Sequence, residues 1–168
     1  MKTHPQTRSW LILMSVACAV LAVYAGRGRA QTPSAQLEDL AAFPQTSLTI
    51  RSGRLKHPFT VWVADTPARE EQGLMFVREL PAERGMVFSG AQPRVWNMWM
   101  RNTYIPLDML FVAEGGRVVK IAHALPHDDT TISSDVVVHG VIELQAGISE
   151  KLHIKVGDLA VWSAPVAK

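Results

Sequence analysis

Alternation between hydrophobic and polar side chains is most pronounced over residues 95–112, the densest apolar stretch after the N-terminus. Residues 95–100 follow a period of two, which predicts a strand with two different faces. Trp96 and Trp99 have opposite parity in that strand, so we expect at least one of them to face away from the core. The pattern breaks around Pro106 and resumes over residues 107–113 as a second strand.

The rest of the chain repeats this pattern of short apolar runs between turn residues. Further strands are predicted at residues 47–51, 58–64, 85–88, 117–122, 136–144 and 159–162. A short helix is predicted to begin at Pro67 and end at Gly73, with a second one within residues 146–153. Residues 123–135 are polar and aperiodic and predict a loop. The expected fold is mainly β, a sandwich or distorted barrel of about seven to nine short strands with one or two short helices.

Asp108 is the one carboxylate inside the second apolar run, and its burial requires an explanation. Removing an ionised carboxylate from water costs several kcal/mol unless hydrogen-bond donors replace the lost solvent. Nearby donors lie at residues 101–103, and the predicted helix and the segment after it add two cations, Arg69 and Arg78. A guanidinium could bind the carboxylate with two bonds. Such a carboxylate can serve as a general base, or it can fix the loop without any chemistry, and both interpretations remain open.

Short motifs occur in a fixed order along the chain. They are GLM at residues 73–75, LP at 80–81, GMVF at 85–88, WMRNTYIPLDMLF at 99–111, and a VIEL, AG and GD series between residues 141 and 158. This order resembles the domain of unknown function 192 family over residues 48–162. The resemblance implies a β-rich, sandwich-like fold and brings no established reaction.

The first 30 residues have the three parts of a secretory signal. Lys2 and Arg8 precede an uninterrupted run of apolar or small residues at 11–25, and small residues follow at positions 28 and 30. The run has 15 residues, whereas a membrane span needs roughly 20. We therefore expect cleavage near Ala30 and an exported protein, periplasmic or secreted, with an uncleaved N-terminal anchor as the alternative. The expected division is a signal peptide at 1–30, a linker at 31–46 and a single β-rich domain at 47–166.

Cysteine content and charge restrict the chemistry of the part after residue 30. The only cysteine, Cys18, lies inside the apolar run, so the domain has no thiol and can form no disulfide. The same part holds all 15 acids and 13 of the 17 bases, which gives a net charge of −2. A phosphate backbone requires the opposite balance, so nucleic acid is not an expected partner.

The best candidate for a site is the polar junction between the two strands of residues 95–112. The candidate site combines the polar residues of this junction with neighbouring aromatic side chains and the cation of the predicted helix. These residues are Arg69, Trp99, Asn102, Thr103, Tyr104 and Asp108. We expect a non-catalytic domain that binds an unknown small molecule or envelope protein there. The alternative is an envelope enzyme that uses Asp108 as acid or base, with Arg69 as its electrostatic partner. No cofactor is expected, and the membrane is a partner only if the N-terminal segment stays uncleaved.

Two further groups could bind a metal. Met98 and Met100 lie two apart on one strand face, and thioethers in that arrangement can bind monovalent copper. Methionine is more often a filler of apolar cores. His123 and His127 lie four apart, but Pro126 argues against the helix that would bring them together. The main expectation is therefore that the domain has no metal site.

Overall fold

The computed structural model describes residues 37–163, where short strands alternate with turns. This part of the chain contains nine strands, two α-helices and two 3-10 turns. The strands are β1 (Gln45–Ser52), β2 (Leu55–Ala64), β3 (Arg84–Phe88), β4 (Asn97–Met98), β5 (Leu107–Val112), β6 (Val118–Ala124), β7 (Ile132–Ser133), β8 (Gly140–Gln145) and β9 (Leu159–Trp162). The helices are α1 (Pro67–Gln72) and α2 (Ile148–Lys151), and the 3-10 turns are Leu40–Ala42 and Glu114–Gly116. The predicted mainly β class is confirmed.

The predicted signal peptide, the start of the predicted linker and the last residues of the predicted domain lie outside the described residues. From Leu37 onward, the segment predicted as a linker contains a 3-10 turn and the fully buried Phe43. β1 begins at Gln45, two residues before the strand predicted from the sequence. Between residues 37 and 163, no helix is both long and apolar enough to cross a membrane.

Seven of the strands form one curled sheet, a half-barrel in the order β6-β5-β8-β3-β2-β1-β9. Its neighbours are antiparallel except β2 and β3, a parallel pair that needs the crossover containing α1. The two edge strands meet at one end. There Val118 N donates to Asp158 O at 2.9 Å, and Gly157 N donates to Val118 O at 2.8 Å. These bonds curl the sheet toward a barrel.

Each face of the curled sheet buries its own hydrophobic core, because successive side chains of a strand point to opposite faces. On one face, Leu110 and Ile142 pack with Ile148 of α2, in a cluster that we call the α2-side core. On the other face, Met109 and Val141 pack with residues of β4 and its neighbours, in the β4-side core. The central strands β5 and β8 are therefore buried on both sides.

The strand predicted at residues 95–100 is much shorter in the structure, where β4 comprises only Asn97–Met98. Its length is limited because its partner, β7, also has only two residues. The predicted two-faced pattern is confirmed. Trp96 and Met100 are 4% and 0% exposed, whereas Trp99 is 42% exposed.

The prediction of a loop at residues 123–135 is wrong at its start. β6 runs past His123, which lies opposite Asp108 in the β5–β6 register. The two-residue strand β7 also lies inside this segment. The strand predicted at 136–144 is shorter at its start, since β8 begins at Gly140.

Lys120 joins the edge of the sheet to the segment around β7. Its Nζ donates to Ser133 O at 2.8 Å and to Asp135 Oδ2 at 2.7 Å. β6 is the edge strand that carries this lysine. The contact therefore ties the segment around β7 to the edge strand.

Gly85 of β3 packs so closely against β8 that a side chain at this position should destabilise the fold. A Cβ there would lie 2.5 Å from Glu143 O and 2.8 Å from Leu144 Cδ2. We expect Gly85→Ala to lower the free energy of unfolding by about 1–3 kcal/mol, measured by urea denaturation. Gly90→Ala is the control, since a Cβ at Gly90 would meet no atom nearer than 3.4 Å. Equal stability of the two variants would contradict the close packing of β3 on β8.

Candidate functional site

Asp108 lies in β5 and is fully buried, with a partner for each carboxylate oxygen. Nδ1 of His123 in β6 lies 2.7 Å from Oδ1, and the backbone N–H of Ser149 in α2 donates to Oδ2 at 2.9 Å. An ionised carboxylate only accepts hydrogen bonds, so His123 carries its proton on Nδ1 in this pair. The carboxylate joins two strands to α2, which supports its structural interpretation.

Arg69 does not contact Asp108, and the prediction that an arginine partners this carboxylate is wrong. Its guanidinium bonds to Glu38 through Nε and Nη2, at 2.9 and 2.8 Å, and to Asp65 through Nη1 at 2.8 Å. The bonds from Arg69 hold the pKa of Glu38 below its usual range. The Arg69 guanidinium also lies over the ring of Phe43, 5.2 Å from the ring centre. Arg69 therefore ties the segment before β1 to α1.

Tyr104 belongs to a surface cluster of rings. Phe76 meets it edge-on with ring centres 5.7 Å apart, and the His127 ring lies 5.1 Å away. The other cation considered for Asp108, Arg78, stacks on Tyr104 at 4.9 Å. Asn102 adopts a left-handed backbone conformation with φ of 56°, which asparagine tolerates better than most residues. Its carbonyl accepts a bond from Phe76 N at 2.8 Å, so this polar turn positions the cluster.

A cavity of about 380 Å³ lies between α1, β8 and residues 94–103 around β4, which we call the β4 segment. α1 begins where Thr66 caps it, with Oγ1 accepting a bond from Arg69 N at 3.3 Å. The lining residues are Pro67, Glu70, Glu71, Gln72, Gly73, Leu74, Met75, Phe88, Arg94, Trp96, Asn97, Met98, Trp99, Arg101, Thr103 and Glu143. Of the residues predicted for the site, Trp99 and Thr103 therefore line the cavity, whereas Arg69, Asn102, Tyr104 and Asp108 do not.

Glu143 is the unusual member of this lining, because it is a carboxyl group only 4% exposed. It lies in β8 opposite Met86 of β3 and Met109 of β5, so its nearest cross-strand neighbours are apolar. Its Oε2 has no hydrogen-bond partner among the described residues. Burial raises the pKa of Glu143 to about 8. The group is therefore mainly protonated at neutral pH.

Sequence reasoning missed Glu143, although a signal was present. The VIEL run at residues 141–144 places one acid within an apolar strand, the same pattern that drew attention to Asp108. Strands buried on both faces carry such acids only with a partner or at a raised pKa. The difference between the two acids lies in the face of the sheet to which each points.

The rim of the cavity carries charges that are already paired. Arg94 Nη2 lies 2.6 Å from Glu70 Oε2, and the Arg94 guanidinium stacks on the Trp96 ring at 3.8 Å. Arg101 Nε bonds to Asp129 at 3.3 Å. Beneath this rim, the indole Nε1 of Trp96 is buried and has no partner among the described residues. Two residues of the lining, Glu143 and Trp96, therefore each have a buried polar atom without a partner among the described residues.

The residues considered for a metal are dispersed. Met98 lines the cavity, whereas Met100 is fully buried in the β4-side core. His123 bonds to Asp108, and His127 packs on Tyr104. Within residues 37–163, no group of three or more His, Cys, Asp or Glu side chains is arranged to hold a metal ion.

The family model for DUF192, described as an uncharacterized ACR, matches residues 48–162, most of the described chain. This match confirms the resemblance carried by the sequence motifs. The chain belongs to the DUF192 family. Its membership brings no reaction, since the family is uncharacterised.

Two solved structures are similar to this DUF192 chain. One is described as a putative transcription regulator from Sinorhizobium meliloti, with 36% identity, a TM-score of 0.70, and coverage of 71% of this chain and 95% of that one. The other is a protein of unknown function from Novosphingobium aromaticivorans, with 35% identity, a TM-score of 0.71, and coverage of 76% and 91%. No curated protein matches the chain.

Removing the Asp108 carboxylate should destabilise this DUF192 domain. Asp108→Ala leaves the buried Ser149 N–H without its acceptor, and we expect the free energy of unfolding to fall by about 1–3 kcal/mol or more. Asp129→Ala is the matched control, because the Arg101–Asp129 pair is 62% exposed on both sides and exposed pairs contribute little. A melting temperature equal to the parent's for Asp108→Ala would refute the anchoring role.

Glu143 should make stability fall as pH rises. Its pKa is about 8 in the fold against an ordinary 4.5, so between these values the unfolded chain loses a proton that the folded chain keeps. The contribution of Glu143 to the free energy of unfolding is then highest below about pH 4.5 and decreases up to about pH 8, by a few kcal/mol at most. Glu143→Gln should remove this contribution. The free energy of unfolding of the variant minus that of the parent should therefore increase from about pH 4.5 to about pH 8. A difference that stays constant with pH in denaturation experiments would contradict the raised pKa.

Proposed function

We propose that this DUF192 protein is an exported, non-catalytic domain that binds a small ligand in the cavity above Glu143. The observation that carries the proposal is a carboxyl group, only 4% exposed, that belongs to the lining of a cavity of about 380 Å³ and has one oxygen without a partner among the described residues. Unsatisfied buried polar groups are rare in native proteins, and each one calls for an explanation. A bound molecule that hydrogen-bonds to Glu143 would provide the missing partner.

The size and lining of the cavity support a small molecule. Ligand pockets commonly measure about 300–1,000 Å³ and combine apolar walls with a few polar groups. Here Trp99, Met75 and Met98 supply apolar walls, and Glu143 and Trp96 supply the polar groups. Trp99 is 42% exposed, so part of its side chain is accessible from solvent.

A binding role is favoured over catalysis by the residues that line the cavity. None of these described residues is Ser, Cys or His, and the one hydroxyl, Thr103 Oγ1, donates to Arg101 O at 3.4 Å. Covalent catalysis needs a nucleophile beside a base. The enzyme alternative built on Asp108 is weakened by its distance from the cavity lining and by its two occupied oxygens.

A second candidate is an enzyme that uses Glu143 as a general acid. The observation in its favour is the position of this buried carboxyl group in the lining of the cavity, since catalytic acids often have a carboxyl pKa raised by burial. It would still require a second catalytic group brought by the substrate or by a partner.

Export is supported by the sequence pattern of the first 30 residues. Nucleic-acid binding, which the description of the Sinorhizobium meliloti relative suggests, is not favoured for this chain. Its part after residue 30 has 13 bases against 15 acids, a poor balance for a phosphate backbone.

Methyl NMR of the full chain, with methionines labelled on their methyl groups, would test ligand binding. Met75 and Met98 line the cavity, whereas Met100 is in the core and serves as an internal control. A mixture of small aromatic and aliphatic amines, alcohols, acids and amides should contain compounds that shift the Met75 and Met98 signals. We expect Trp99→Ala to lower the affinity for these compounds about tenfold, because the substitution removes an aromatic wall.

Phe76→Ala is the matched control for Trp99→Ala. Phe76 is 41% exposed against 42% for Trp99, and it is not part of the cavity lining. The affinity of the Phe76→Ala variant for the same compounds should equal that of the parent protein. Absence of any shift at Met75 and Met98 at millimolar compound concentrations would overturn the proposed function.

A further inference from the structure

We infer that the ligand of this cavity is an organic cation, an ammonium group on an apolar body, which pairs with Glu143. This inference rests on the proposed binding function and names its chemical class. It follows from the distribution of paired and unpaired charge in the lining, from the aromatic walls and from the volume of the cavity.

Each arginine of the lining has an acidic partner, whereas two acids of the lining have no basic partner. Arg94 is bonded to Glu70 at 2.6 Å, and Arg101 is bonded to Asp129 at 3.3 Å. Glu71 and Glu143 have no ion-pair partner among the described residues. The groups of the lining that lack an ionic partner are therefore acids, which favours a cation as the guest.

The walls fit the body of such a cation. Trp96 and Trp99 line the cavity together with Met75 and Met98. The Arg94 guanidinium already lies over the Trp96 ring at 3.8 Å, and that of Arg101 lies 6.0 Å from the Trp99 ring, so these side chains offer the guest mainly apolar contact. A bare metal ion is a poorer fit, because its ligands must approach to about 2–2.5 Å from several sides, and a volume of about 380 Å³ is far larger than one ion.

Binding of a cation should be coupled to loss of a proton. An ammonium group beside Glu143 stabilises the carboxylate, so the proton of the carboxyl group leaves to solvent when the ion pair forms. The charged groups that face Glu143 across the cavity are Glu70 and Glu71 from α1, and Arg94 and Arg101 from the β4 segment. The strands on either side present Met86 and Met109. Glu143 is thus the buried group among them whose proton a guest cation would displace.

Benzylamine and its neutral counterpart benzyl alcohol would test this inference. Benzylamine stays protonated up to about pH 8, so a change of affinity below that pH reports on the protein. At about pH 8 we expect benzylamine to bind the full chain at least about tenfold more tightly than benzyl alcohol, measured by calorimetry and by the Met75 and Met98 methyl shifts. Its affinity should rise about fiftyfold from pH 6 to pH 8, because the Glu143 proton must leave. The affinity of benzyl alcohol should not rise over that range.

Two charge-neutralising variants locate the cation. Glu143→Gln should remove both the preference for benzylamine and the pH dependence, whereas Glu79→Gln, at an exposed acid outside the lining, should retain both. Equal affinity for the amine and the alcohol, or loss of the preference in Glu79→Gln alone, would overturn the assignment to Glu143 and leave ligand binding itself intact. If no compound of the mixture shifts the cavity methionines, the proposed function fails instead.

Discussion

The hydrogen-bonded carboxylate of Asp108 is the interaction on which the rest of the architecture depends. It lies in a central strand buried on both faces, where an ionised group survives only if donors replace water. One donor comes from the edge strand β6 and the other from the backbone of α2. A single side chain therefore joins the edge strand, the central strand and the short helix that covers the α2-side core. Because α2 has only one turn, it gains little stability from its own hydrogen bonds and relies on such tertiary contacts.

Glu143 presents the opposite situation on the neighbouring strand. β5 and β8 are paired in register, with Asp108 opposite Leu144 and Met109 opposite Glu143. Since residues directly opposite one another point to the same face, the two acids point to different faces of the sheet. One face provides a histidine and a backbone N–H, whereas the other provides two methionines and an open cavity. The two carboxyl groups are thus chemically alike but differ in environment, and this difference separates the structural role of Asp108 from the binding role that we propose for Glu143.

The sequence predicted what depends on local pattern and failed where contact partners are distant along the chain. The period of two over residues 95–100 correctly separated buried Trp96 from exposed Trp99, because strand geometry alone dictates alternation. The need for donors at Asp108 was also predicted correctly. Their identity was not, since the β5–β6 register brings His123 to Asp108 and the folded chain brings Ser149 of α2 to it from 41 residues away, whereas Arg69 is held by Glu38 and Asp65. The cavity was missed for the same reason: its lining comes from α1, the β4 segment and β8, which only the folded topology brings together.

The lysine at the sheet edge bears on how this protein behaves among other copies of itself. An uncovered edge strand can pair with the same strand of a second molecule, and such pairing seeds aggregation. Lys120 anchors residues 133 and 135 beside β6, and placing its charge in a foreign sheet would cost solvation. A lysine on an edge strand therefore disfavours the pairing of β6 with a second molecule.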